Sequence, residues 1–159
     1  MSTLILGYGN ADRQDDGVAW HVIRQVIKGL GNEAPEEMEE ETPFSYGDVA
    51  FLSLLQLAPE LSELLSGYDR VCFVDAHTGS VPDDVHSESI GPRYQPSPFT
   101  HHLTPHSLLA MTESIYKKSP ESILVSVRGY EFGFDRELSK STAALVPLAV
   151  ALILKWLHQ

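Results

Sequence analysis

The chain has 159 residues, a size that fits one domain with a full hydrophobic core. Hydrophobic residues make up 43% of it and charged residues 21%, as in soluble globular proteins. The formal net charge is -11 at pH 7, and a phosphate backbone repels so acidic a protein. We therefore expect no nucleic-acid partner, and expect cations or a basic segment of another protein instead.

The single cysteine bears on the cellular compartment. Cys72 has no partner for an intrachain disulfide, which favours a reducing cytosol, and its apolar neighbours predict a buried thiol rather than a nucleophile. No signal peptide precedes the first strand-like run. The apolar stretch at residues 143–157 is shorter than a membrane span and carries Lys155, so we predict a buried C-terminal helix. Together these features predict a cytoplasmic protein without a membrane partner.

Strand-like and helix-like stretches alternate along the chain. Short apolar runs predict strands, and apolar residues at helical spacing predict helices. In chain order we predict a strand at residues 3–6, a helix at 19–30, a strand at 49–55, a helix at 59–65, a strand at 71–74, a helix at 105–115, a strand at 123–127 and a helix from 139 onward. This alternation is typical of an α/β fold with a mostly parallel twisted sheet and helices on both faces. We predict one domain over residues 1–159.

Local signals refine these boundaries. Asp15 or Asp16 is suited to cap the first helix, and Thr104 to cap the third, with Pro105 at its first position. Pro147 predicts a bend in the last helix. The stretches without periodicity are predicted to be loops, at residues 31–48 and at residues 77–103, where residues 85–90 allow a short strand.

Polar residues gather where the predicted strands end. Ligands of such sheets bind beyond the carboxyl ends of the strands. The candidates are Asp12, Asp15 and Asp16 after the first strand, Asp75 and His77 after the third, and His101, His102 and His106 before the third helix. Two carboxylates and one imidazole form an oxygen-rich metal site with open positions. The pattern also allows Asp75 to be a helix or turn cap, and a histidine at the position of His106 is, taken alone, more often a surface residue.

A nucleotide site is the competing interpretation of the first loop. Gly-Tyr-Gly at residues 7–9 matches the start of a dinucleotide fingerprint, but Asp12 stands where the third glycine belongs. Carboxylates at a helix N-terminus also oppose the binding of pyrophosphate there. A nucleotide-binding module is thus the weaker alternative, and the loop favours a cation.

Several motifs resemble those of the hydrogenase maturation proteases. They are Leu-Ile-Leu-Gly-Tyr-Gly-Asn at residues 4–10 with Asp-Asp-Gly-Val at 15–18, Val-Asp-Ala at 74–76, Thr-Pro-His at 104–106 and Glu-Leu-Ser at 137–139. The likeness spans nearly the whole chain in the family's order. Members of this family cleave a C-terminal extension from the large subunit of nickel–iron hydrogenases after nickel has been inserted.

The resemblance implies a function and a set of site residues. It implies an endopeptidase that recognises nickel through Asp16, Asp75 and His106, with Asp16 or Asp75 as the catalytic base. It also implies that the nickel belongs to the precursor and is not a permanent catalytic ion. His101 and His102 are candidates for contacts with the substrate.

One segment departs from the family pattern. Many members carry an Asp-Gly-Gly-Thr-like loop after the second strand, which is assigned to substrate recognition. Gln-Leu-Ala-Pro-Glu at residues 56–60 stands there instead and resembles a Gln-Leu-Thr-Pro-Glu segment of one branch of the family, which leaves the identity of the hydrogenase open. This segment and the acidic stretch at residues 36–41 motivate an alternative, a non-proteolytic protein that only binds a hydrogenase subunit.

Overall fold

The computed structural model describes residues 1–36, 42–95 and 103–159. Its elements are β1 (Thr3–Tyr8), α1 (Val18–Gly29), β2 (Phe44–Tyr46), β3 (Val49–Leu54), α2 (Leu61–Ser66), β4 (Arg70–His77), β5 (Val85–Ile90), α3 (Pro105–Tyr116), β6 (Glu121–Arg128), α4 (Lys140–Ala143) and α5 (Val146–Leu157). A 3-10 turn at Gln14–Gly17, called the acidic turn below, leads from β1 into α1.

The described strands form one mixed sheet in the order β2-β3-β1-β4-β6-β5. The four inner strands are parallel, and β2 and β5 pair antiparallel at the two edges. This architecture confirms the predicted α/β fold with a mostly parallel sheet. The chain moves from β1 to β3 on one side and then to β4 on the other side of β1. The carboxyl ends of β1 and β4 therefore flank the point where the strand order reverses, the usual place for a ligand.

Helices cover both faces of the sheet because successive strand residues point to opposite sides. Ile5 packs in a core cluster with α1 and α5, whereas Leu4 and Leu6 belong to the opposite cluster with α2 and α3. Cys72 is fully buried in the first cluster, as predicted, and burial raises the pKa of its thiol above the ordinary range.

The strands differ from the prediction in two places. Residues 44–46 fall in a predicted loop but form β2, which is too short to show periodicity and is held by pairing with β3 and by aromatic edge contacts of Tyr46 with Phe44 and Phe51. β4 continues to His77, beyond the predicted end at residue 74, so Asp75 lies inside the strand rather than after it. The strand that residues 85–90 allowed is present as β5.

The C-terminal helix is divided close to the predicted bend. Ser139 caps α4 by accepting a hydrogen bond from the Thr142 amide, and α5 begins one residue before Pro147. Because proline has no N–H to donate, the break falls just ahead of it.

The stretch Lys140–Leu157, which includes α4 and α5, has 18 residues and by length and composition alone is long and apolar enough to cross a membrane. It is longer than residues 143–157, the apolar stretch that the sequence predicted to be too short for a membrane span. One side of α5 is nevertheless packed against α1 and the sheet through Val146, Ala149, Ile153 and Trp156.

The first turn of the chain depends on Gly9. Its φ is +141°, a conformation that side chains rarely adopt, and a Cβ there would lie 2.0 Å from the Asp16 carbonyl oxygen. Only glycine lets the end of β1 pass this close to the acidic turn.

We predict that Gly9→Ala lowers the free energy of unfolding by about 2–4 kcal/mol, because it adds both backbone strain and a clash with the backbone. Gly91→Ala is the matched control, since a Cβ at Gly91 meets nothing within 4 Å. It should change stability by less than about 0.5 kcal/mol. Equal effects of the two substitutions in urea denaturation would contradict this interpretation.

Candidate functional site

A cleft of about 410 Å³ opens at the carboxyl ends of β1 and β4, where the strand order reverses. Asp16 and Asp75 both line this cleft, so the structure brings together two of the three predicted ligands. Tyr8 and Gln56 line it as well. We call this the acid cleft. The acid cleft lies among the segments at the carboxyl ends of the strands, which is where the sequence predicted a cation site.

Two hydroxyl groups hold the Asp75 carboxylate in place. Tyr8 Oη donates to Oδ2 at 2.7 Å, and Ser126 Oγ donates to Oδ1 at 2.5 Å. Burial raises the pKa of the Asp75 carboxyl, the two hydroxyl donors oppose that rise, and the nearby charge of Asp16 adds to it. Burial and the Asp75 charge likewise raise the pKa of Tyr8 well above its ordinary value. Asp75 is therefore a fixed, mostly buried acid whose proton affinity exceeds that of an exposed aspartate.

Asp16 enters the acid cleft from the acidic turn. Its Oδ2 accepts a hydrogen bond of 2.8 Å from the backbone N–H of Asn10. The predicted helix-capping role is wrong for both aspartates: α1 starts at Val18 after Gly17 without any side-chain cap. Asp16 instead closes the turn that follows β1, which fixes its orientation toward the cleft.

Asp15 points away from the cleft and binds the segment that follows β6. Its Oδ1 accepts from the Ser139 N–H at 2.8 Å. Its Oδ2 accepts from Ser139 Oγ, Tyr130 N–H and Glu131 N–H at 2.7, 2.8 and 2.9 Å. Burial of Asp15 raises the pKa of its carboxyl, but these four hydrogen bonds outweigh burial and lower the pKa to about 2. The side chain is fully buried and stays charged because its two oxygens together accept four hydrogen bonds.

Backbone contacts complete this connection, which we call the Asp15 clasp: residues 12–16 held against residues 130–139. Gln14 N–H donates to the Asp135 carbonyl at 2.7 Å, and Asp135 N–H donates to the Asp12 carbonyl at 3.1 Å. The Gln14 side chain accepts from Gly133 N–H at 2.7 Å. Gln14 has a φ of +49°, unusual for a residue with a side chain, and these bonds maintain it.

His106 occupies the second position of α3. Thr104 caps this helix by accepting from Ser107 N–H, and Pro105 is its first residue, as predicted. Burial lowers the pKa of His106, the charge of Arg93 lowers it further, and Glu88 opposes both. A neutral ring is the form that binds metal.

The third predicted ligand is not gathered with the other two. Leu103, three residues before His106, lines the acid cleft, but His106 is absent from the described residues that line it. Within residues 1–36, 42–95 and 103–159, no group of three or more His, Cys, Asp or Glu side chains is arranged to hold a metal ion. The joint coordination by Asp16, Asp75 and His106 stays a prediction.

The remaining sequence candidates have other surroundings. His77 Nδ1 accepts from Gly79 N–H at 3.1 Å, so Nε2 carries the proton and donates to the Asp83 carbonyl at 3.0 Å, which makes the ring part of a turn. Asp12 forms an exposed ion pair with Arg136 at 3.1 Å. His101 and His102 lie outside the described residues.

Sequence and structure comparisons differ in what they find. No protein-family model and no curated protein matches the sequence. Among solved structures, the chain is similar to the hydrogenase maturating endopeptidase HybD from E. coli, with a TM-score of 0.71 and 17% identity over 99% of this chain and 93% of that one.

Two further similar structures come from archaea. The [NiFe] hydrogenase maturation protease HycI from Thermococcus kodakarensis gives a TM-score of 0.68 at 17% identity, covering 99% of this chain and 93% of that one. The hydrogenase 2 maturation peptidase from a Thaumarchaeota archaeon gives 0.63 at 21% identity, covering 99% of both chains. The chain therefore has the fold of hydrogenase maturation proteases over nearly its full length, in agreement with the resemblance in its motifs.

We predict that Asp15→Asn lowers the free energy of unfolding by about 2–4 kcal/mol at neutral pH, because a neutral amide faces donors that need a buried carboxylate. Since folding depresses the pKa of Asp15, its contribution is complete above the unfolded-state pKa of about 3.9 and is lost as the pH falls toward 2. The difference in unfolding free energy between the wild type and Asp15→Asn should thus become smaller below about pH 4. The exposed control Asp12→Asn should cost less than about 1 kcal/mol. A difference in unfolding free energy that does not depend on pH would contradict the stabilising role of the charged Asp15 carboxylate.

Proposed function

We propose that the protein is an endopeptidase of hydrogenase maturation, which removes the C-terminal extension of a nickel–iron hydrogenase large-subunit precursor after nickel insertion. The observation that carries this proposal is the pair Asp16 and Asp75 in one cleft, at the positions of the family motifs, within a fold shared with maturation proteases. The acid cleft is open to a protein substrate. We further propose that this reaction takes place in the cytoplasm, where Cys72 stays reduced.

The proposed substrate recognition uses the metal carried by the precursor. Carboxylate oxygens of Asp16 and Asp75 and a neutral imidazole nitrogen of His106 are suitable donors for nickel. Tyr8 and Ser126 already orient the Asp75 carboxylate, and the Asn10 N–H orients the Asp16 carboxylate. These two metal ligands therefore require little rearrangement. His106, at the start of α3, has to reach the metal when the precursor is seated. Recognition through the cargo metal would make processing conditional on completed nickel insertion.

We assign proton transfer and the positioning of the substrate to this chain's own residues. The nickel of the substrate would polarise the scissile region or the attacking water. The raised pKa of Asp75 makes it a better proton acceptor for that water than an exposed aspartate, and Asp16 is the alternative base. Either assignment corresponds to an aspartyl-type endopeptidase.

The departure from the family pattern lies at the edge of the same cleft. Gln56 and Leu57, from the segment that replaces the family's recognition loop, line the acid cleft. We propose that this segment selects the hydrogenase precursor. It changes the surface presented to the substrate without altering Asp16 or Asp75.

The alternative is a protein that binds a hydrogenase subunit without cleaving it. It is favoured by the absence of a three-ligand metal cluster among the described residues. This binding protein needs the same docking surface but no base and no metal ligand.

Processing of precursor by the purified protein tests the proposal. We expect a mass loss equal to the C-terminal extension for nickel-loaded precursor and none for nickel-free precursor. Equal cleavage of both forms would refute nickel recognition, whereas stable binding with no shortening of either form would establish the non-proteolytic alternative.

Substitution of Asp16 should separate catalysis from folding. We expect Asp16→Asn to reduce the processing rate by about 100-fold or more, because a ligand and a base candidate are lost together. His106→Ala should have an effect of similar size. Asp48→Asn is the control, because Asp48 is an exposed aspartate that does not line the acid cleft. Wild-type rates for Asp16→Asn, with an unchanged melting temperature, would remove this residue from the mechanism.

A further inference from the structure

One aromatic side chain near the acid cleft is almost fully exposed to solvent. Phe134 is 94% exposed, the largest exposed fraction among the large apolar residues in the described ranges. Burial of a phenylalanine ring is favourable, so this surface is available to a partner. Single apolar residues are common on protein surfaces, and the significance of Phe134 therefore depends on how the ring is held and on what lies beside it.

The backbone on both sides of Phe134 is anchored by the Asp15 clasp. The residue before it, Gly133, donates its N–H to the Gln14 side chain at 2.7 Å. The residue after it, Asp135, accepts from the Gln14 N–H through its carbonyl at 2.7 Å. The ring thus stands on a hydrogen-bonded part of the chain rather than on a free loop tip. A partner that covers it has little backbone to order, which limits the entropy lost on binding.

Phe132, two residues earlier, is placed differently. A Cβ at Gly129 would lie 2.7 Å from Cζ of the Phe132 ring and 3.1 Å from Cβ of Asp15, so the ring packs over this glycine beside the buried carboxylate. Phe132 is partly buried as a result. The same segment therefore packs one phenylalanine ring against the protein and leaves the other in solvent. Exposure is a property of Phe134 and not of the segment as a whole.

Arg13 connects Phe134 with the acid cleft. Its guanidinium carbon lies 5.9 Å from the centre of the Phe134 ring, and its Nη2 donates to the Phe132 carbonyl at 3.2 Å. Arg13 also lines the cleft that Asp16 and Asp75 line. Phe134 is therefore one side chain away from the cleft, at its rim. An extended polypeptide advances about 3.3 Å per residue, so a residue a few positions from the one in the cleft can reach the ring.

We propose that Phe134 is an anchor for the substrate polypeptide, which packs an apolar side chain against the ring while a neighbouring segment occupies the acid cleft. The identity of that polypeptide as a hydrogenase precursor rests on the proposed function. Aromatic side chains are enriched among the residues that contribute most to binding at protein interfaces. The contact with the Arg13 guanidinium supports the ring from the protein side. The place of the ring at the rim favours the ligand of the cleft over a second copy of the chain.

Calorimetric titration with a nickel-loaded precursor that resists cleavage tests the anchor. Phe134→Ala should raise the Kd for this precursor about tenfold or more. Its melting temperature should stay that of the wild type, because the ring is almost fully exposed. Phe134→Leu keeps an apolar side chain and should restore much of the affinity. Leu148→Ala is the matched control, since Leu148 is 58% exposed on α5 and does not line the acid cleft, and it should bind like the wild type.

Phe134→Trp adds a readout of contact that does not depend on affinity. After subtraction of the change that Trp20 and Trp156 give in the wild type, its emission should shift to shorter wavelength when the precursor binds. Wild-type affinity of Phe134→Ala, or an unshifted emission from bound Phe134→Trp, would overturn the proposal. So would a wild-type dimer that Phe134→Ala dissociates in sedimentation without any change in precursor affinity, because the ring would then serve self-association.

The outcomes also separate the anchor from the proposed function. Weaker binding by Phe134→Ala, in a protein that binds precursor but cleaves none, would support the anchor and refute only the proteolytic activity. Cleavage by the wild type together with unweakened binding by Phe134→Ala would refute the anchor alone. A wild-type protein that binds no precursor would refute both.

Discussion

The site depends on the hydrogen bonds that the buried Asp15 carboxylate accepts. These four hydrogen bonds join the acidic turn after β1 to the segment after β6, although these segments are 115 to 124 residues apart in sequence. Asp16 is the next residue on one side of this connection, and Arg136 lies on the other. A single charged group thus holds the acidic turn, and with it Asp16, in a fixed position at the acid cleft. The depressed pKa of Asp15 keeps it charged at physiological pH, so protonation does not weaken these hydrogen bonds there.

The reversal of strand order supplies the other half of the geometry. Tyr8 at the end of β1 and Ser126 on β6 both donate to Asp75 on β4 between them, so three neighbouring parallel strands fix one carboxylate. The two acids of the cleft are therefore held differently. Asp75 is fixed by side chains on rigid strands and is mostly buried, whereas Asp16 is fixed by a backbone amide on a turn. In the proposed function both acids contact nickel, and the raised pKa of Asp75 makes it the stronger candidate for the base.

The sequence predicted the part of the molecule that depends on local pattern. Periodicity and composition were sufficient for the alternating elements, and the rule for parallel sheets placed Asp16 and Asp75 at one cleft. The role of Asp15 was missed because its partners are distant in sequence, and a helix cap was the nearest local explanation. The Glu-Leu-Ser motif at residues 137–139 was the available signal, since Ser139 makes two of the hydrogen bonds to Asp15. Tyr8 and Ser126 gave no signal, because a hydroxyl on a strand reveals its partner only through the register of the sheet.

The proposed function requires that nickel held by the precursor is bound directly by Asp16, Asp75 and His106. X-ray absorption at the nickel edge tests it most directly, on a nickel-loaded precursor made resistant to cleavage by a substitution beside the scissile bond. On addition of the wild-type protein we expect new oxygen and nitrogen ligands around nickel, with the nitrogen lost for His106→Ala and an oxygen lost for Asp16→Ala. A nickel spectrum that is identical with and without the protein, in a complex shown to form, would contradict the claim.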